Sequence, residues 1–334
     1  MPIDAYAALA AGKELEKFRY DPKELGPHDI EVKITHCGIC HSDIHLIDDD
    51  WQMSSFPLVP GHEIIGTVTT AGPEVTAFEP GQRVGIGWQR SSCLECELCR
   101  SGQENLCPAQ RATCVGHYGG FATSIRADSR FAFAIPEALA SENAAPLLCG
   151  GATVYSPLRN HGVRATMKVG VIGIGGLGHL ALQFARAIGC EVTAFSSSPD
   201  KQKAAESFGA HHFVASKEKG ELEKMIGTQD FIINTVFAGL DWARYLDILR
   251  PNGTLCFVGA PPTPIRLPAF PLLVGQKSVC GSVIGSRSGI REMLELAARH
   301  GIMAKTEATP MDRVNAALTK VRENQARYRM VLTN

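Results

Sequence analysis

A chain of 334 residues is long enough for two domains with separate cores. Its 45% hydrophobic and 20% charged residues and its net charge of −1 fit a soluble globular protein, and they exclude the basic excess that a nucleic-acid or membrane partner demands. Eleven cysteines behind a start (Met1-Pro2-Ile3-Asp4) that lacks the pattern of a secretory leader predict a cytoplasmic protein with metal sites and reduced thiols, not a disulfide framework.

Residues 1–150 are rich in short β-type runs, at 30–35, 64–70, 83–86 and 121–125, each broken by Gly or Pro. The pattern predicts an irregular, largely antiparallel β domain. It also holds two dense groups of ligand-type residues. The first runs from Cys37-Gly38-Ile39-Cys40-His41-Ser42-Asp43-Ile44-His45 to Gly61-His62-Glu63, with Cys149 near the end of the segment. The second is Cys93, Cys96, Cys99 and Cys107, spaced C-x2-C-x2-C-x7-C. Ordinary backbone has no need of four thiols at that density, whereas a tetrahedral cation does. Four thiolates with no other ligand predict a closed, structural zinc site.

From 151 to 285 apolar strands alternate with helices: strand 168–174, helix 178–188, strand 191–195, helix 200–208, then strands 230–236, 254–258 and 279–283. Strands without a polar face, separated by helices, predict a doubly wound parallel sheet. Gly173-Ile174-Gly175-Gly176-Leu177-Gly178 satisfies G-x-G-x-x-G between the first strand and the first helix, where that motif binds a dinucleotide pyrophosphate. The second strand ends in Phe195-Ser196-Ser197-Ser198 with no carboxylate at its tip, and Lys201 follows. Three hydroxyls and an ammonium suit a 2′-phosphate, so the expected cofactor is NADP(H); Asp200 is the one nearby acid that would reverse the preference. Residues 286–334 add helices at 290–300 and 311–322 and a strand at 329–332, and are expected to rejoin the first domain.

Together these features resemble the zinc-dependent medium-chain alcohol dehydrogenases. Gly61-His62-Glu63-Ile64-Ile65-Gly66, then Gly72 and Val75, matches that family's zinc signature at each fixed position. Cys40–His45, Leu147-Leu148-Cys149, Thr153-Val154-Tyr155-Ser156-Pro157 and Gly175–His179 resemble the cinnamyl alcohol dehydrogenase branch, which includes bacterial NADP-dependent aldehyde reductases. The resemblance implies a discontinuous GroES-like catalytic domain (1–150 and 286–334) and a Rossmann cofactor domain (151–285). It implies two zincs per chain. Cys40, His62 and Cys149 match the ligands of the catalytic one, with Glu63 able to approach it. Asp43 matches the acid that orients the histidine ligand, while Ser42 and His45 match a proton relay. His41 matches a cofactor-phosphate contact and Thr153 a residue beside the nicotinamide. The implied activity is hydride transfer between NADP(H) and a primary alcohol/aldehyde pair, in a homodimer. A polyol or secondary-alcohol dehydrogenase is the alternative on the same scaffold. A nucleotide sensor without turnover is the alternative of another class, disfavoured because it has no use for an open Lewis-acid site.

The chain departs from that branch in a short 108–118 segment before Gly119-Gly120-Phe121, in Gln82 where an Asp is usual, and in Ser42 where Thr is commoner. Trp51 and Trp88 are candidates for the substrate pocket or for packing. Cys37 reads as a buried neighbour of the site; Cys190, Cys256 and Cys280 as core thiols; Cys114 and His117 as loop residues; and His211-His212 as the start of a strand.

Overall fold

A computed structural model describes residues 1–334, which cluster into two compact units, Met1–Ala152 with Gly285–Asn334, and Thr153–Ile284. No helix in it is long and apolar enough to cross a membrane.

The first unit is built on a seven-stranded sheet. Its order is Thr306–Pro310, Arg329–Thr333, Asp29–Ile39, Glu63–Ala71, Arg83–Ile86 and Ala132–Ala134, with Ser124–Asp128 also paired to Asp29–Ile39. All pairings are antiparallel except that of the two C-terminal strands. In Asp29–Ile39 the residues Ile30, Val32 and Ile34 alternate inward, and then Cys37, Gly38 and Ile39 are all buried. The change from a two-residue period to a continuous buried run marks where the sheet gains cover on its second face. There the strand meets Glu63–Ala71, whose first four residues are likewise buried, and the C-terminal strand, with Met330 opposite Ile39 and Leu332 opposite Cys37. The helix His41–Asp48 follows at once. It presents Ile44, Leu46 and Ile47 to a core shared with Ile64, Phe121 and Val314.

One expected strand changes partner partway. From Ser124 onward the run 121–125 pairs in Ser124–Asp128, and before it Ala122 bridges Ala5 antiparallel. Phe121 lies between a loop and a strand, donating its N–H to the Pro60 carbonyl and accepting from Tyr6 of the strand Ile3–Ala7. Its apolarity answers to that position, where Phe121 is fully buried.

The second unit is a six-stranded parallel sheet ordered His212–Ala215, Glu191–Ser196, Lys168–Ile172, Gln229–Asn234, Leu249–Phe257, Ser278–Gly281. Strand order reverses beside Lys168–Ile172, the topological switch point at which such sheets bind ligands outside their carboxyl ends. The three strands Glu191–Ser196, Lys168–Ile172 and Gln229–Asn234 read as nearly unbroken buried runs, as a sheet covered on both faces requires. The Gly178–Ile188 helix starts directly behind the glycine turn and is closed by Gly189 in the left-handed conformation.

Candidate functional site

The site in the first unit is organised by one carboxylate. Asp43, in the first turn of its helix, is fully buried. One oxygen accepts the backbone N–H of Cys40 at 2.9 Å, and the other accepts both the N–H of Gly61 and His62 Nδ1 at 2.9 Å. Asp43 thus ties the helix start to the loop that carries His62. It also fixes the proton of that ring on Nδ1, which leaves Nε2 as the basic nitrogen. His62 Nε2 is buried with no hydrogen-bond partner. Buried polar atoms are seldom left so, and an orphan of this kind needs an explanation.

Two thiols supply it. Cys40 Sγ and Cys149 Sγ lie 3.9 Å apart, and one ligand atom from each of Cys40, His62, Glu63 and Cys149 lies within 4.8 Å of the others. A tetrahedral zinc with sulfur bonds of about 2.3 Å spaces its sulfurs about 3.8 Å apart, so the donor set fits the ion that the sequence implies. A hydrogen bond from Cys149 holds Cys40 well below the usual thiol range, while the same bond and burial hold Cys149 well above it. Burial pushes His62 down, but the charges of Asp43 and Cys149 outweigh it and hold the ring well above its ordinary value.

Glu63 stands behind the trio. Burial raises its carboxyl to about 7 even though the Arg329 guanidinium pulls the other way. One of its oxygens is hydrogen-bonded by Arg329, and the other, Oε2, has no partner. Gly38 is the reason this carboxylate fits: a Cβ at that position would sit 2.1 Å from Glu63 Oε2.

Ser42 Oγ lies 3.6 Å from Cys40 Sγ. His45, one turn further along the helix, has its Nδ1 2.7 Å from Asp50 Oδ2. His41 and His45 are ring neighbours at 5.5 Å, and burial lowers His41 below its usual value. An aromatic wall completes this face. Trp88 meets His62 edge-on at 4.8 Å, Trp51 meets Trp88 at 6.3 Å and His45 at 5.0 Å, and Trp51 is 43% exposed. The short 108–118 segment packs down on the site. Thr113 donates to the Gly87 carbonyl at 2.6 Å, and Cys114 is fully buried in one cluster with Asp43 and His62.

The four-cysteine lobe closes on itself. Sulfur separations are 3.8 Å for Cys93–Cys99, 3.8 Å for Cys96–Cys107 and 3.5 Å for Cys107–Cys93, again the spacing of a tetrahedral ion. Backbone N–H groups of Glu95 and Cys96 lower Cys93 to about 6, and burial raises Cys99 to about 11. Buried Glu104 fastens the lobe to Arg287 at 2.8 Å, and its carbonyl accepts from Gln89 at 2.7 Å.

In the second unit three glycines of the turn have distinct roles. Gly173 has φ +88, a Cβ on Gly178 would lie 1.9 Å from the Gly173 carbonyl oxygen, and a Cβ on Gly175 would meet nothing within 4 Å. Gly173 makes the turn, Gly178 lets the helix approach the strand, and Gly175 faces open space that a pyrophosphate can enter. Gly176 and Leu177 complete the turn ahead of the Gly178–Ile188 helix. Lys201 Nζ donates to the Ile174 carbonyl at 3.0 Å, which brings its charge to the turn. The Ser196 hydroxyl is occupied with the Ser198 backbone, whereas Ser197 is exposed and Ser198 partly so. Thr153 is buried near the start of the Gly150–Asn160 helix.

Sequence reasoning gave no role to Arg329 and placed Cys114 in a plain loop. The signal for Arg329 was an ionisable residue heading the apolar strand Arg329–Thr333. Cys114 carried no local signal, because its neighbours come from Asp43 and His62.

Comparison with known proteins bears on both units. A family described as alcohol dehydrogenase GroES-like domain matches residues 26–137, and one described as zinc-binding dehydrogenase matches 176–299. The chain is 45% identical over 332 residues to aldehyde reductase AdhA of Synechocystis, covering 99% of each. Among solved structures it is similar to cinnamyl alcohol dehydrogenase SbCAD4 from Sorghum bicolor, with TM-score 0.95, 38% identity and coverage of 100% of this chain and 98% of that one. It is also similar to a cinnamyl alcohol dehydrogenase from Helicobacter pylori complexed with NADP(H), with TM-score 0.91, 31% identity and the same coverage.

Proposed function

The chain belongs to the zinc-dependent medium-chain alcohol dehydrogenase family, and on that premise we propose that it is an aldehyde reductase that uses NADPH to form primary alcohols. The observation that carries this reading is the partnerless His62 Nε2 beside two buried thiols 3.9 Å apart. Zinc held by Cys40, His62 and Cys149 supplies a Lewis acid for the carbonyl oxygen, and the reduced nicotinamide supplies the hydride. Two thiolates and a neutral imidazole cancel the charge of the cation and leave it an open position. Asp43 keeps the imidazole in the tautomer that this requires. Glu63, with one oxygen engaged by Arg329, is a reserve ligand. The Ser42 hydroxyl delivers the proton that the reduced oxygen needs, and His45, backed by Asp50, replenishes it. Trp51 and Trp88 form the apolar wall against which the substrate chain rests.

NADP preference rests on the serine-rich end of Glu191–Ser196, where a carboxylate would select NAD. His41 and Thr153 are assigned to the cofactor phosphate and the nicotinamide. Two charge-assisted contacts to a 2′-phosphate, from Lys201 and from Ser197 or Ser198, contribute about 3 kcal/mol, or about 100-fold. Initial rates with the two cofactors should therefore give a kcat/KM about 100-fold higher for NADPH, and faster turnover with NADH would overturn the assignment. The same assay across aliphatic and aromatic aldehydes defines the substrate.

The proposed homodimer pairs through Ser278–Gly281, the last strand of the parallel sheet, which is bonded on one side only. Phe270, Leu273 and Val274, each at least 70% exposed, add an apolar surface in the same unit. Light scattering on the eluted protein should give twice the chain's 35.9 kDa, and a monomer mass at micromolar concentration would remove the interface.

A further inference from the structure

The second unit carries another Cys2His set that the reaction does not use. Cys256 and Cys280 are register partners on the adjacent parallel strands Leu249–Phe257 and Ser278–Gly281, so both side chains leave the same face. His161 follows the Gly150–Asn160 helix, and its Nε2 lies 3.4 Å from Cys280 Sγ. One ligand atom from each of the three lies within 4.8 Å of the others. Phe231 backs the His161 ring at 5.7 Å. Cys256 is fully buried, Cys280 half-buried and His161 exposed, so the cluster opens to solvent on one side. A thiol pair alone would suggest a disulfide, but a disulfide has no use for the imidazole. Zinc bonded to sulfur at about 2.3 Å and to nitrogen at about 2.0 Å spaces those two ligands about 3.5 Å apart, close to the Cys280–His161 separation.

We propose that His161, Cys256 and Cys280 form a solvent-open site for a thiophilic cation, Zn²⁺ first, that clips the end of the Gly150–Asn160 helix to the edge of the sheet. Two thiolates and an imidazole are the donors that such a cation selects. Within the chain Ser278–Gly281 has a neighbour on one side only, and a clip between residues 119 apart in sequence would fix that strand in place for the partner copy it is proposed to meet.

The test is a zinc count on the intact enzyme by native mass spectrometry, with Zn²⁺ added under a phosphine reductant. The parent protein should hold one more zinc per chain than either Cys280→Ser or His161→Gln. Added Zn²⁺ should raise its melting temperature and leave those of the variants unmoved, with aldehyde reduction unchanged in both. Equal zinc counts in parent and variants overturn the site. So does retention of the extra zinc by either variant, or a Cys256–Cys280 disulfide that persists under the reductant. Because the readout is a difference between proteins that share the Cys40, His62 and Cys149 set, failure here leaves the proposed function standing. An extra zinc in a protein that reduces no aldehyde would do the reverse.

Discussion

Cys149→Ala should lower kcat/KM for aldehyde reduction by about 10³-fold or more while leaving the affinity for NADPH nearly unchanged. The substitution takes the buried donor set from three protein ligands to two, Cys40 and His62, with Glu63 engaged by Arg329. Lewis-acid stabilisation of the developing charge amounts to several kcal/mol, and about 4 kcal/mol corresponds to about 10³ in rate. The nucleotide turn Gly173–Gly178 belongs to the other compact unit, so its fold is untouched. Steady-state kinetics, NADPH fluorescence titration and a zinc count check the three parts separately, and unchanged turnover would sink the assignment. Protonation adds a second readout. The bond to Cys40 and burial push the Cys149 thiol up, and, against its burial, Asp43 and Cys149 push His62 up. Zinc must displace those protons, so its retention against a competing chelator should weaken as the pH falls.

What the sequence made legible is what sits close together along the chain. The glycine turn declares itself because strand, turn and helix are contiguous, and the helix bounds Gly178–Ile188 match the expected 178–188. The four-cysteine lobe is legible for the same reason. The donor trio is not local, since Cys40 and Cys149 are 109 residues apart, and resemblance rather than spacing joined them. Arg329 escaped notice because its partner Glu63 lies 266 residues away, and only the pairing of Arg329–Thr333 with Asp29–Ile39 brings the C-terminus to the site. Cys280 was expected in the core. It sits instead on an edge strand whose burial never becomes complete, which only the sheet order reveals. Short elements also went unread, among them the pairing of Ile3–Ala7 with Glu16–Tyr20 and the helix Trp242–Ile248. Glu16–Tyr20 buries none of its side chains completely, and Trp242–Ile248 spans under two turns, so neither shows a clear apolar period.

Cys107→Ser should remove the lobe's zinc and destabilise the fold without first destroying the chemistry. The lobe has little else to hold it. Between residues 92 and 107 the buried side chains are Cys99, Cys107 and Glu104, and Leu106 is 48% exposed. Its two helical turns, Glu97–Arg100 and Glu104–Leu106, span four and three residues, too short to persist without tertiary support. On the proposed structural site, metal binding would supply the folding free energy of this segment. A cation at about a thousandfold over its dissociation constant contributes about 4 kcal/mol. In a unit of about 200 residues that corresponds to a fall in melting temperature of about 10 °C. The loosening has a route outward, because buried Glu104 fastens the lobe to Arg287 at the head of the Arg287–His300 helix. Limited proteolysis should cut first within 92–107, and turnover well below the new melting point should stay within a few-fold of the parent. The two cysteine variants thus separate the roles of the two sites. If Cys107→Ser kept its zinc, or if it lost turnover before stability while Cys149→Ala did the opposite, the structural and catalytic assignments would have to be exchanged.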